Sequence, residues 1–292
     1  MNTITKTGQH KKKRGQGKDI WRRLCKNRLA VFGMMILVLL VLLAIFADVV
    51  APYPYDLQNY SVASQFPSWQ HPFGTDNYGR DILSRVIYGT RISLQIGFIS
   101  LAGGALIGCI LGAIAGFFGG RIDTVIMRFN DILMSIPKTI LAIAIATTLG
   151  PGLTNAMIAV SISSVPTFAR VVRASTLTVK DQEFVEAARS IGASNTRIIM
   201  RYIFPNVMAP IIVQSTLGVG TSIILAASLS FLGLGIQPPT PEWGAMLSAA
   251  RSFMRDQWYM VLFPGLAIML TVFALNVFGD GLRDALDPKL KN

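Results

Sequence analysis

A chain of 292 residues that is 52% hydrophobic and 14% charged is too poor in charge to coat a soluble globule, since soluble domains carry about 25%. It is also too apolar to be disordered. Two cysteines, Cys25 and Cys109, exclude a disulfide scaffold and a Cys-based zinc cluster, and His10 and His71 lie too far apart in sequence to suggest a metal site.

Residues 1–28 hold ten Lys and Arg against one acid, Asp19, and read as a basic tail. Leu29–Ala47 is free of charge. A helix crosses a hydrocarbon core roughly 30 Å thick with about 20 apolar residues, so a first span is predicted over 29–49. A cleaved signal peptide is the competing reading, but the apolar run is too long and Ala47-Asp48-Val49-Val50-Ala51 is a poor cleavage site. Residues 50–91 make a long outside connection containing Pro52, Pro54, Pro67 and Pro72. It closes on the run Gly74–Arg85, where Gly74 and Gly79 suit tight turns. Asp76 with Arg80, and Asp81 with Arg85, stand four apart and would meet on any helical face. This motif reads either as a lid over the helix ends or as a contact for an external partner.

The core is expected over 92–279. A second span is predicted near 92–117. Its glycines Gly104, Gly108, Gly112, Gly116 and Gly120 recur every four residues, a stripe along which another helix can approach closely. A third span near 129–149 holds Asp131 and Lys138 on one face, with Pro137 between them. Ionisable groups at that depth are costly; Lys138 either lines a hydrophilic pathway, reaches for the interface or pairs with Asp131. Gly150-Pro151-Gly152 signals a turn before a fourth span near 153–172.

In the segment 174–205, Phe184, Ala187, Ala188 and Ile191 recur at helical spacing and predict a short helix with one apolar face. Thr178 or Asp181 can cap its start, and Gly192 suits the left-handed residue past its end. Ser194 or Asn195 can then cap a second short helix that stops before Pro205. Helices this short need a surface to pack on, either their own bundle or a partner's cleft. Spans near 207–232 and 258–279 complete six, and 280–292 forms a closing tail.

With the first tail inside, the inner segments hold twenty-one Lys and Arg and the outer segments five. Cytoplasmic segments carry the excess, so both termini are expected in the cytoplasm. The net charge of +12 then reflects orientation and attraction to anionic lipid, and nucleic acid is not expected as a partner. No Gly-x-x-x-x-Gly-Lys-[Ser/Thr] stretch is present, so no phosphate cradle exists on this chain. An ion-coupled carrier would call for an inverted repeat and ion ligands at midplane; neither is visible, nor is a channel filter or a catalytic or metal cluster in the spans.

Within 174–205 the sequence resembles the inner-membrane permease subunits of bacterial ABC importers. Their signature is Glu-Ala-Ala, three residues, Gly, nine residues, Ile, one residue, Leu-Pro. Here it reads Glu186-Ala187-Ala188, Gly192, Tyr202 and Phe204-Pro205, with Tyr and Phe in place of Ile and Leu. The runs Gly74–Arg85, Ser228–Gly235 with Gln237–Gly244, and Gly279–Pro288 are similar to the C-type permease of the dipeptide, oligopeptide, nickel and glutathione uptake group. The matches extend over about residues 20–290, nearly the whole chain.

The resemblance implies an all-α integral membrane protein with the type I ABC importer permease fold. It implies a homologous second permease, one or two cytoplasmic ATPase subunits and an external solute-binding protein. ATP and Mg would be bound by the ATPases, with no cofactor on this chain. Glu186, Ala187, Ala188, Gly192 and Pro205 would form the ATPase-coupling site. Polar candidates for the translocation pathway are Lys138, Gln214 and Asn276. The expected cargo is a dipeptide or oligopeptide first, glutathione next and a nickel chelate third.

Overall fold

A computed structural model of the chain describes residues 16–286. Expectations that fall on the basic residues Lys6 to Arg14, and on Asp287, Pro288, Lys289 and Lys291, lie outside the described residues. The described residues form α-helices α1 (Gln16–Leu24), α2 (Arg28–Ile45), α3 (Ala47–Val50), α4 (Ile82–Phe118), α5 (Gly120–Ser135), α6 (Lys138–Leu149), α7 (Leu153–Val179), α8 (Glu183–Ser190), α9 (Asn195–Ile198), α10 (Phe204–Phe231), α11 (Trp243–Ala250) and α12 (Tyr259–Leu286), and no strand.

Five helical runs are long and apolar enough to cross a membrane: α2, α4, α7, the continuous stretch Asn195–Phe231 and α12. A sixth crossing is made only if α5 and α6, bent by 91°, are counted together. The third span is therefore not one straight helix. Ile136 is extended (φ −95°, ψ 128°), as expected before a proline, whose ring disfavours the α conformation in the preceding residue. The 12 residues of α6 reach only about 18 Å, short of a crossing. The bend also separates Asp131 from Lys138: Asp131 meets Arg170 of α7 at 2.9 Å.

α4 begins at Ile82, ahead of the second span predicted near 92–117, and its 37 residues extend about 55 Å. Its polar first turns project beyond an apolar slab, and their charges find partners. Arg85 donates to the carbonyls of Tyr55 (2.8 Å) and Pro239 (3.2 Å). Arg91 donates to Ala44 O (2.8 Å) and Ile45 O (3.2 Å). These are end carbonyls of α2 that lack helical partners, so Arg91 caps the first span.

The glycine stripe of α4 faces α7. A Cβ added at Gly104 would lie 2.6 Å from the Ser161 carbonyl, and one at Gly108 2.6 Å from that of Val165; Gly112 and Gly116 are equally closed by Ala169, Val172 and Thr176. Without side chains on one partner, the two backbones sit in direct contact, the packing mode that replaces hydrophobic exclusion in lipid. Gly120 stands outside the seam, at the turn into α5, with φ +54° and open space around it. α2 lies against α12 through Gly33, whose added Cβ would be 2.8 Å from Ala274 O. Asn27 caps α2 by accepting from Leu29 N and Ala30 N.

α4 thus has two distinct ends. At its start lie residues 51–81 and α11, here termed the lid end. At its finish lie the last turn of α7 and the α8–α9 connection, termed the elbow end.

Candidate functional site

At the elbow end, α7 runs on to Val179, which takes Thr178 into its last turn; the Thr178 hydroxyl donates to Ser175 O at 2.8 Å. Neither Thr178 nor Asp181 caps α8. Its N-cap is Gln182, with no side-chain hydrogen bond, and Glu183 and Glu186 occupy the first turn, where negative charge suits the helix dipole. The finish of α8 follows the expected pattern. Gly192 adopts φ +79°, its N–H donates to Arg189 O (2.9 Å) and the Ala193 N–H to Ala188 O (3.0 Å). That pair of bonds is the Schellman motif. Ser194 caps α9 by accepting from Arg197 N.

The four apolar residues predicted on one face of α8 divide between two faces. Ala188, with Val185, is buried in the main hydrophobic cluster beside Ile198 and Ile203, so Ala188 turns inward. Phe184, Ala187 and Ile191 point outward; Ile191 is 80% exposed. Glu186 and Gly192 are exposed as well. The elbow therefore bolts onto the bundle by one edge and presents an apolar stripe on the other. Arg189 adds a second fastening, its guanidinium 5.3 Å from the centre of the Phe117 ring at the end of α4.

No stop occurs before Pro205. α9 continues through a π-helical turn, Ile199–Ile203, into α10, and Pro205 lies within the first two positions of α10, where a missing N–H is tolerated. The second elbow helix is thus the beginning of the span Asn195–Phe231, and α8 joins it through the short connection 191–194.

Among the expected pathway residues, Gln214 of α10 lines a cavity of about 420 Å³ between α7, α10 and α12, together with Val171, Pro210, Val213, Leu217 and Arg283. Asn276 is exposed on α12, with its Oδ1 near Gly220 of α10. Lys138 opens α6, half-buried, and does not line that cavity. Arg283 was legible only as part of a motif. Its spacing of seven from Asn276, two helical turns, is the signal that places both on one face of α12.

At the lid end the acidic and basic residues of the Gly74–Arg85 run are turned inward. Arg80, Asp81 and Arg85 are buried. Asp76 pairs with Arg80 at 2.6 Å, in a turn closed by a bridge between Thr75 and Asp81. Asp81 does not pair with Arg85; one oxygen meets His71 Nδ1 at 2.9 Å, and the other accepts from the N–H and hydroxyl of Ser84, both at 2.7 Å, capping α4. Arg85 instead approaches Asp76, at 3.9 Å. No helical spacing could reveal the part of His71, ten residues upstream in a loop. Gly74 and Gly79 have φ of +77° and +72°, and a Cβ at Gly79 would strike the Asn59 carbonyl. Phe73 stacks on Phe263 of α12, centroids 3.9 Å apart. The run fastens a lid, and its charged groups are spent within it.

Beside the lid, Glu242 caps α11 by accepting from Gly244 N (2.9 Å) and Ala245 N (2.8 Å), and Trp243 donates from Nε1 to Val86 O of α4 (3.1 Å). Burial holds the Glu242 carboxyl above its ordinary range, against the lowering effect of those two N–H donors. No cluster of potential metal ligands occurs among the described residues.

Comparison with known proteins places this geometry in a family. Residues 108–292 match the family described as binding-protein-dependent transport system inner membrane component, and residues 15–70 match the N-terminal TM domain of oligopeptide transport permease C. The chain is 50% identical over 275 residues to the dipeptide transport system permease protein DppC of Alkalihalophilus pseudofirmus, with 94% of this chain and 90% of the relative covered. It is 51% identical over 276 residues to the glutathione transport system permease protein GsiD of Escherichia coli O6:K15:H31 (strain 536), at the same coverage. The fold is shared with inward-facing conformations of the MetNI methionine ABC transporter, at a TM-score of 0.57, 20% identity, 70% of this chain and 98% of that one. It is also shared with an amino acid ABC transporter with histidines, at 0.51, 18%, 71% and 95%. The 185-residue C-terminal match and the near full-length relatives settle it: the chain is a permease of the ABC importer family, an inner membrane component of a binding-protein-dependent transport system.

Proposed function

We propose that this permease forms half of the pathway of an ATP-driven importer of small peptides, a homologous permease supplying the other half. In this reading the lid end faces outward, toward an external solute-binding protein. Both termini and the elbow face the cytoplasm, where one or two ATPase subunits bind ATP and Mg and carry out hydrolysis. The observation that carries the reading is the division of α8 into an edge buried in the bundle and an exposed stripe of Phe184, Ala187 and Ile191. An exposed apolar seam beside Glu186 fits a groove on another protein. Movement of that protein is transmitted through Val185, Ala188 and the continuous α9–α10 helix, so ATPase closure shifts the equilibrium between two bundle arrangements.

Peptide cargo is favoured by the likeness to the dipeptide permease. Glutathione is the second reading, favoured by the equally similar glutathione permease; ligand binding by the cognate external protein separates the two. The central test is uptake in liposomes. The complete complex with its binding protein is expected to accumulate peptide only with ATP. Uptake by this subunit alone, driven by an ion gradient, overturns the proposal.

A further inference from the structure

We propose that the cavity between α7, α10 and α12 is a carboxylate-binding station on the transport route, with Arg283 taking the anionic end of the solute and Gln214 holding it from the facing helix. The inference rests on the importer reading above and adds a recognition chemistry to it.

Val171, Ala209, Pro210, Val213 and Leu217 give the recess apolar walls, and Gln214 and Arg283 are its polar groups. Arg283 is exposed at the rim of the recess, where an incoming anion can reach its guanidinium. The planar fork of arginine matches a carboxylate with two parallel N–H donors. The Gln214 amide offers both a donor and an acceptor, which suits the last peptide N–H next to a terminal carboxylate.

The neighbouring cations are already engaged. On α7, Arg170 meets Asp131 and Arg173 binds Asp123 through two hydrogen bonds. Asp280 and Asp284 flank Arg283 in sequence, yet among the described residues no carboxylate comes within 4.0 Å of it. The recess thus combines an available cation, an amide and apolar walls at the elbow end of α12, where a solute leaving the pathway would pass.

The test uses the complete complex in liposomes, with Cys25→Ser and Cys109→Ser removing the native thiols and Val213→Cys placing one in the recess. The rate of maleimide alkylation is measured without ATP, in the presence of an N-acetyl dipeptide or of its C-terminal amide. The free acid is expected to protect Val213→Cys at a concentration about tenfold lower than the amide, the difference that one charged hydrogen-bonded pair supplies. Arg283→Gln should abolish that preference and Arg283→Lys should retain part of it. Equal protection by acid and amide, protection by neither, or a preference that survives Arg283→Gln overturns the station. ATP-driven uptake in the same vesicles reports separately on the importer reading.

Discussion

Gly192 illustrates what a single residue contributes at the elbow. Open space surrounds the position a Cβ would take, so the glycine is required by its backbone and not by a close neighbour within the chain. A branched residue in the left-handed conformation costs about 1–2 kcal/mol, whereas asparagine is tolerated there. Gly192→Val is therefore expected to lower ATP-driven uptake severalfold with unchanged membrane insertion, and Gly192→Asn to retain most of it.

Glu242 makes a prediction in pH. Its carboxyl is raised by burial above an ordinary value of 4.5, so between those two values the folded protein binds more protons than the unfolded chain. Its contribution to stability is then complete below 4.5 and is lost as pH rises through the folded value. Glu242→Gln should flatten that segment of the melting temperature versus pH curve in detergent, and Glu242→Ala should lose about 1 kcal/mol through the missing cap at every pH. An identical slope in Glu242→Gln would refute the assignment. Gly192 was legible in the sequence because a helix end of this kind asks for a residue without a Cβ. The pairing of His71 with Asp81 was not legible, because loop geometry alone brings them together.

Between helices, the α4–α7 seam is the most demanding contact. Gly108→Val would drive a side chain into the Val165 carbonyl and Phe168, and overpacking of this kind costs about 1–3 kcal/mol. Gly265→Ala in α12 meets nothing within 4 Å and should gain about 0.5–1 kcal/mol from reduced chain entropy. Thermal unfolding in detergent should therefore move in opposite directions for the two variants. The stripe itself was visible as a four-residue period, and the spans as stretches free of charge, because lipid imposes both. The beginning of α4 was hidden by the same rule. Arg85 and Arg91 belong to the helix but leave the apolar slab, and backbone carbonyls of distant segments satisfy them. The partition of α8 was hidden for another reason: four apolar residues on one short helix do not specify that Ala188 alone meets the bundle while the other three face outward.

For the molecule as a transporter, the proposed coupling makes the fastening of α8 the point through which work done on it would reach the pathway. Removing both its anchors, with Val185→Ala and Arg189→Ala, should leave the complex assembled and hydrolysing ATP while peptide uptake falls by about tenfold or more. Proportional loss of hydrolysis and uptake would show that these residues serve assembly instead. α4 and α7 share a backbone-to-backbone contact over four successive glycine positions, so neither can slide or roll without the other. α4, with 37 residues and about 55 Å long, is the shaft of an oar backed by the shorter α7, with the elbow at one tip and the lid at the other. A stroke of only about 5° at the grip sweeps the opposite tip through about 5 Å, by the length of the shaft alone. On the importer reading proposed above, a small rotation at the cytoplasmic elbow is thereby enlarged into a displacement on the scale of an amino-acid side chain at the outer mouth.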